Sequence, residues 1–582
     1  MVRIFAYASI LLIFSVFNTA AQKQRTFCNP VNLDYGFTPI PDFSEAGRHR
    51  ATADPVIVLY KNNYFLFSTN QWGYWWSPDM VTWNFIPRKF LKPWNKVYDE
   101  LCAPAVWISS DTMFVIGSTH TTAFPIWMST NPFRDDWKEA IDSSQAAAWD
   151  PDYFLDDDGS LYLYYGSSNL YPVYGCRISR GTLQPAGERL ELIRLHDDEH
   201  GWERFGEYSD NDFLNPFIEG AWMTKHDGRY FLQYAAPGTE FSGYADGVYV
   251  SDQPLGPFRY QEHNPFCYKP SGFTRGSGHG STYRDVFGNW WHITTNVIAV
   301  KNNFERRLSI FPAGFDKDNV LYSNTLFGDY PMYLPDGSED HLKGRFAGWM
   351  LLNYEKPVQV SSVYGNYAPD FAIDEDIRTY WCAATDQPGE WIQSDLGQLS
   401  TVYAIQVNYA DQDVPYLGKR TDIYHQYRIW KSSDGLKWEI LTDKSKNRTD
   451  VPHDYIELSQ PVKTRFIKLE NVHMAAGKFA VSGLRVFGIA PGPIPDSIRG
   501  FHVFRQESDK RNAYLKWYPS PDAYAYNIFY GIAPEKLYNS ILVYTRNEYY
   551  LKALSRNTNY YFAIQAVNES GTGPLSKIIQ VD

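Results

Sequence analysis

Three carboxylates, Asp54, Asp150 and Glu219, each open a strand–turn–strand unit. Hydrolysing a glycosidic bond with inversion takes two carboxyl groups on opposite faces of a sugar. One, ionised, draws a proton from water; the other, protonated, delivers its proton to the leaving oxygen. They stand roughly 6.5–9.5 Å apart to admit that water. The acid needs a raised pKa, which a neighbouring carboxylate supplies by repulsion. A lone Asp-Pro pair ordinarily just starts a strand. Asp54-Pro55 and Asp150-Pro151 at one phase of a repeat point instead to a shared task. Glu219 sits in the apolar run Phe217-Ile218-Glu219-Gly220-Ala221-Trp222. An unpaired charge buried there would be costly, so Glu219 is paired or functional. Glu207 and Asp212, in a loop, are weaker candidates for the acid, and Asp156, Asp157 and Asp158 read as exposed turn residues of an Asp-Gly hairpin.

The elements that must position these groups repeat five times. Hairpins followed by a short third strand open at Asp54, Pro104, Asp150, Glu219 and near His279. Their third strands are Gly73–Ser77, Ile126–Ser129, Val173–Ser179, Val248–Ser251 and Arg307–Phe311. Roughly 40–50 residues per four-stranded unit is the period of propeller blades. The last two intervals are longer and hold insertions. Five blades about one axis would aim Asp54, Asp150 and Glu219 into a common central pocket.

The 582 residues are enough for several domains. Aromatic content is 17%, with 19 Trp and 44 Tyr, which tilts mildly toward sugar stacking, since aromatics also fill β cores. The formal charge of −12 and the lack of any Lys/Arg run make nucleic acid and anionic membranes poor partners. Met1-Val2-Arg3, the apolar run Ile4 to Phe17 and Asn18-Thr19-Ala20-Ala21-Gln22 read as a secretory signal over residues 1–21, cut before Gln22. The chain is therefore expected to be secreted or periplasmic, with no membrane insertion after cleavage. The five cysteines, Cys28, Cys102, Cys176, Cys267 and Cys382, contain no CxxC pair. They exclude a disulfide scaffold and a thiolate metal site, and read as buried free thiols.

After Tyr333-Leu334-Pro335-Asp336-Gly337 the pattern changes to short alternating strands. Thr379-Tyr380-Trp381, Trp391 to Gly397, Ser432 to Trp438 and Val486-Phe487-Gly488 indicate a β-sandwich. These motifs resemble the discoidin-like, coagulation-factor C-type family, a jelly-roll sandwich assigned to 346–490 and expected to bind glycan or to act as scaffold. Pro491-Gly492-Pro493-Ile494-Pro495 reads as a stiff linker. Beyond it, over 491–582, Tyr514-Leu515-Lys516-Trp517 with a Trp on an early strand and Thr558-Asn559-Tyr560-Tyr561-Phe562 with a Tyr at a late corner resemble a fibronectin type III module, an immunoglobulin-like sandwich expected to be a spacer.

Ala53-Asp54-Pro55, Trp149-Asp150-Pro151, Ile218-Glu219-Gly220, Gly278-His279-Gly280-Ser281 and Gly288-Asn289-Trp290-Trp291-His292 together resemble glycoside hydrolase family 43. The resemblance implies a five-bladed β-propeller over 22–345, in an all-β chain, and an inverting glycosidase. It makes Asp54 the general base, Asp150 the pKa modulator and Glu219 the general acid. It makes His279 the axial histidine that holds water or a structural calcium; no cofactor is otherwise required. Ala221, where relatives often carry Pro, and Cys102, where they commonly carry Trp, depart from the pattern. Trp149, Trp72 and Trp222, with His279, are the candidates for substrate contact, and Trp75 is a further aromatic near an opening. The implied function is a secreted, exo-acting enzyme that removes terminal β-xylose or α-L-arabinofuranose from plant or algal oligosaccharide or polysaccharide. The alternatives are a β-galactosidase of the same family and a non-catalytic carbohydrate-binding or adhesion protein.

Overall fold

The computed structural model describes residues 24–37, 48–90, 101–118, 124–146, 148–338 and 344–582. The expected signal segment and its cleavage point lie outside the described residues. Among the described residues the chain is all-β, with helix confined to short 3-10 turns such as Gly201–Glu203 and Pro369–Ala372. Among the described residues no helix is long and apolar enough to cross a membrane.

Among the described residues, five antiparallel meanders of four strands lie between Val56 and Ser323. The first is Val56–Tyr60, Asn63–Phe67, Gly73–Ser77 and Asn84–Pro87; the second is Cys102–Ser109, Thr112–Ser118, Ile126–Ser129 and Lys138–Ile141. The third is Asp152–Leu155, Leu161–Tyr165, Val173–Ile178 and Leu190–Ile193. The fourth is Glu219–His226, Arg229–Ala236, Ala245–Ser251 and Arg259–Tyr260; the fifth is Arg275–Arg284, Trp290–Val297, Arg306–Phe315 and Leu321–Ser323. The last two are joined through one parallel pair, Ala245 with Ser277. The first strands neighbour one another in cyclic order, first to second through fifth and back to first. Apolar side chains such as Phe65, Tyr74, Val115 and Leu163 fill the spaces between meanders.

The fourth strand of every meander escaped the sequence pattern. These strands are short, and all but the buried Leu321–Ser323 are partly exposed, as in Lys138–Ile141, so they carry little apolar alternation. The turn reading of Asp156 is corrected. Its carboxylate is buried, accepts from Lys225 Nζ at 2.5 Å and Tyr230 Oη at 2.6 Å, and ties the third meander to the fourth.

The middle domain is an eight-stranded sheet built on two long strands, Trp391–Tyr409 and His453–His473. Register shifts at Asp395/Ser400 and Val402/Ala404 bend them, so one strand serves two packing faces. The C-terminal domain is a two-sheet sandwich. His502–Arg505, Ala513–Lys516 and Glu548–Leu551 form one sheet; Ala525–Gly531, Asn539–Tyr544 and Tyr560–Asn568 centre the other. Trp517 is fully buried between them, and the Tyr560 hydroxyl accepts from the Ser555 N–H at 2.9 Å.

The spacer reading of this last domain is corrected. One continuous core holds Trp202 from the insertion before Glu219 and Tyr234 from the fourth meander together with Phe501, Trp517 and Phe562. The insertion before Glu219 grips the sandwich: Arg204 reaches Asp509 and Asn512, and Arg511 reaches Asp212 and the Asp197 carbonyl. The Pro-rich stretch is packed too, because Asn568 donates to the Pro493 carbonyl. A buried ion cluster joins all three domains. Arg485 forks onto Glu375 at 2.8 Å through two nitrogens and donates to Gln406 and the Asp329 carbonyl. Lys269 pairs with Asp329 at 3.0 Å, and Tyr544 donates to Glu375.

Candidate active site

The opening of each first strand carries a residue in the left-handed backbone region. Asp54 has φ 53°, Ala103 43°, Asp150 50°, Gly220 66° and His279 48°. For a non-glycine residue this conformation costs roughly 1–2 kcal/mol. Four such costs at one phase of five meanders mark a shared constraint, and strain of this kind gathers where side chains must converge. Gly220 supplies the fifth position for a steric reason as well. A Cβ there would lie 2.8 Å from the His279 ring, so the strand beside Glu219 packs flat on the imidazole.

Hydroxyls of the preceding meander hold these openings. The Asp54 N–H donates to Thr295 Oγ1 at 2.9 Å, the Ala103 N–H to Thr69 Oγ1 at 2.9 Å and the Asp150 N–H to Ser118 Oγ at 2.8 Å. Thr69 Oγ1 in turn donates a hydrogen bond to Asp54 Oδ2 at 2.5 Å, and Ser167 donates to Glu219 Oε2 at 3.0 Å. Thr295 belongs to the fifth meander, so the pattern runs from last to first.

The three predicted carboxylates come together around His279. Its Nδ1 lies 3.1 Å from Asp54 Oδ1 and 3.8 Å from Asp150 Oδ2. Tyr244 Oη donates to Glu219 Oε1 at 2.6 Å. Arg306 Nη1 stands 3.9 Å from Asp54 Oδ1 and donates to Thr239 Oγ1 at 2.9 Å. Burial pushes the Asp150 carboxyl up to about 7, with Glu219 and Asp54 adding repulsion against the pull of His279 and the Gly220 N–H. Burial alone would lower the His279 pKa, but Asp54, Asp150 and Glu219 together hold it above its ordinary value. Burial and the nearness of Glu219 also raise Glu240, on the same loop as Thr239.

Tyr244, Arg306 and the Ser/Thr latches were not legible as site residues. The hydroxyls at 69, 118, 167 and 295 do share a phase, near the end of four of the five second strands, and that was the available signal. Tyr244 and Arg306 have no marker in sequence; the fold alone brings them in. The weaker acid candidates lie elsewhere. Glu207 accepts from Ser242 and faces Arg378 of the middle domain, and Asp212 holds Arg511.

The aromatic candidates separate. Trp75 is fully buried and donates to Asp34 Oδ1 at 2.6 Å, so it is core. Trp222 turns its Nε1 to the Thr282 carbonyl at 3.1 Å and packs on the core between meanders, which removes it as a platform. Trp149 is 38% exposed beside Asp150. Trp72 is half buried, with its ring against Gly36 and near Gly418 of the middle domain.

Among the described residues no three His, Cys, Asp or Glu side chains gather to hold a metal ion. A calcium ion needs six to eight oxygens, and His279 Nδ1 already faces Asp54. No step proposed for the site runs through a metal.

Residues 49–321 match the sequence profile of glycosyl hydrolases family 43. This segment is a family 43 domain. Residues 357–482 match the F5/8 type C domain. A β-xylosidase of Xylanibacter ruminicola is 29% identical over 129 residues, covering 19% of this chain and 39% of the relative. A xylosidase/arabinosidase of Bacteroides ovatus is 26% identical over 155 residues, covering 23% and 46%. The chain thus spans less than half the length of these curated relatives. A solved glycoside hydrolase aligns at 17% identity and a TM-score of 0.45, over 77% of this chain and 100% of that one, too distant to carry an argument. The family 43 match contains all four central residues, Asp54, Asp150, Glu219 and His279.

Proposed function

We propose that the chain is a secreted or periplasmic inverting glycoside hydrolase, acting from the chain end on xylose- or arabinofuranose-bearing polysaccharide. The observation that carries this reading is the convergence of Asp54, Asp150 and Glu219 on His279 from strained strand openings. In the step, Asp54 takes a proton from water as the water oxygen bonds to the anomeric carbon. The bond from that carbon to the leaving oxygen breaks, and Glu219 gives that oxygen its proton. Tyr244 and Ser167 orient Glu219; Thr69 orients Asp54. Asp150, buried beside both, tunes the proton affinity of the cluster. The similarity to a β-xylosidase and a xylosidase/arabinosidase supports the choice of sugars.

The meanders are assigned to a five-bladed propeller over 22–345, supported by the cyclic contacts of their first strands and the Thr295–Asp54 latch. The domain at 491–582 is assigned to the fibronectin type III fold, supported by buried Trp517 and the Tyr560 corner. A screen of nitrophenyl glycosides tests the reading. Release from the xyloside or arabinofuranoside is expected; release from the β-galactoside alone selects the family's other sugar, and release from none leaves a carbohydrate-binding protein.

A further inference from the structure

The open face of the C-terminal three-stranded sheet carries a row of aromatic rings. Phe504 lies opposite Tyr514, and Tyr514 opposite Tyr550. They are 59%, 37% and 45% exposed, while Val503, Leu515 and Leu551 on the same strands are buried. The core therefore uses one face of the sheet and leaves this one in water. Cross-strand aromatic pairs add a little to sheet stability, but most of this ring surface serves no packing.

The polar ends of the row are held in place. Tyr550 Oη donates to Gln506 Oε1 at 2.6 Å, and Tyr514 Oη donates to Glu548. The row continues off the sheet. Lys552 Nζ lies 5.0 Å from the Tyr550 ring centre and 5.8 Å from that of Tyr208. It is anchored by Asp210 at 2.5 Å. Tyr208, 72% exposed, belongs to the insertion whose chain runs on through exposed Phe213 and Phe217 to Glu219.

We propose that this row binds a single chain of neutral polysaccharide, the polymer whose linkages the carboxylates cut; the identity of that polymer rests on the glycosidase reading. Aromatic faces stack on the C–H faces of sugar rings, and amide, hydroxyl and ammonium groups at their edges satisfy sugar hydroxyls. Lys516 and Glu548 lie opposite each other on the face and balance in charge, which suits neither a polyanion nor a membrane. The Tyr514 and Tyr550 rings are tilted 64° to each other, so they fit one flexible chain and not the flat face of a crystalline polymer. The link through Tyr208 leads such a chain onto the insertion that precedes Glu219.

The test is electrophoresis of the full chain through gels containing soluble arabinoxylan, xylan or arabinan, with nitrophenyl glycoside hydrolysis measured on the same samples. The wild type is expected to be retarded by at least one polymer. Phe504→Ala and Tyr550→Ala should each weaken the apparent association several-fold to about tenfold, with kcat/KM on the nitrophenyl substrate unchanged. Phe504→Trp should keep the retardation, which separates loss of a ring from loss of fold. An active wild type that no polymer retards overturns the proposal, as do alanine variants retarded like the wild type. A wild-type dimer that Phe504→Ala dissociates in sedimentation overturns it in favour of a second copy. Retardation without any glycosidase activity overturns the functional reading and leaves this one standing.

Discussion

Two buried clusters of charge in this molecule use the same ingredients to opposite ends. At the domain junction, Arg485 and Lys269 meet Glu375 and Asp329, two cations against two anions, with the guanidinium forked on Glu375 at 2.8 Å. In the family 43 domain, Asp54, Asp150 and Glu219 share one close imidazole, and the Arg306 guanidinium stands off at 3.9 Å. The junction is balanced. Burial would raise Asp329, yet Lys269 and Arg485 pull it below its ordinary value. The site has an excess of carboxylate, and there burial and repulsion lift Asp150 to about 7. Balance holds surfaces together; imbalance stores a proton where chemistry needs one. The backbone does not follow this division: positive φ marks Asp54, Asp150 and His279 at the site, and Glu375 at the junction as well.

Changes at the two clusters should therefore read out differently. Glu219→Gln is expected to lower kcat on a poor leaving group by about 10²–10⁴-fold and to leave the fold intact. An activated aryl glycoside should lose much less, since its leaving group departs with little protonation. Equal losses on both substrates would remove Glu219 as the acid. Arg485→Met leaves Glu375 buried without its partner and should destabilise the whole chain by about 3–5 kcal/mol. Urea unfolding monitored through tryptophan fluorescence reads this. A loss below 1 kcal/mol would make the junction incidental and return the middle domain to a tethered targeting role.

Asp150→Asn sharpens the contrast, because Asn tolerates the left-handed backbone and keeps the shape. The Asp150 carboxyl titrates near 7 when folded against 3.8 as a free side chain. A raised carboxyl favours the fold fully below the unfolded pKa, and that contribution fades as pH climbs through the folded pKa. The variant should thus match the wild type in relative stability near pH 4, gain through pH 7, and level off above it, by up to about 4 kcal/mol. Its activity at neutral pH should fall, with the alkaline limb of the profile moved to lower pH. Thermal unfolding at pH 5 and pH 8 checks the first part. A stability difference that does not change with pH would contradict the assigned burial of charge.

The repeat and the carboxylates were readable because chemistry leaves few choices at those positions. Gly73–Ser77 and Ile126–Ser129 fell where alternation set them, and Asp54, Asp150 and Glu219 stand out by residue type in apolar surroundings. What sequence hid was long range. Tyr244 and Arg306 look like ordinary strand residues until folding turns them toward Glu219 and Asp54. Trp222 reads like a sugar platform until its Nε1 is found on the Thr282 carbonyl. The C-terminal sandwich reads as a spacer because its core residues do not reveal that Trp202, from a distant insertion, completes the same core.

The central claim is that Asp54 activates water while Glu219 protonates the leaving oxygen. Proton NMR of the first sugar released, recorded before mutarotation, tests it most directly. The account predicts the anomer opposite to that of the substrate. Release of the same anomer would require a covalent intermediate and would remove Asp54 as a base.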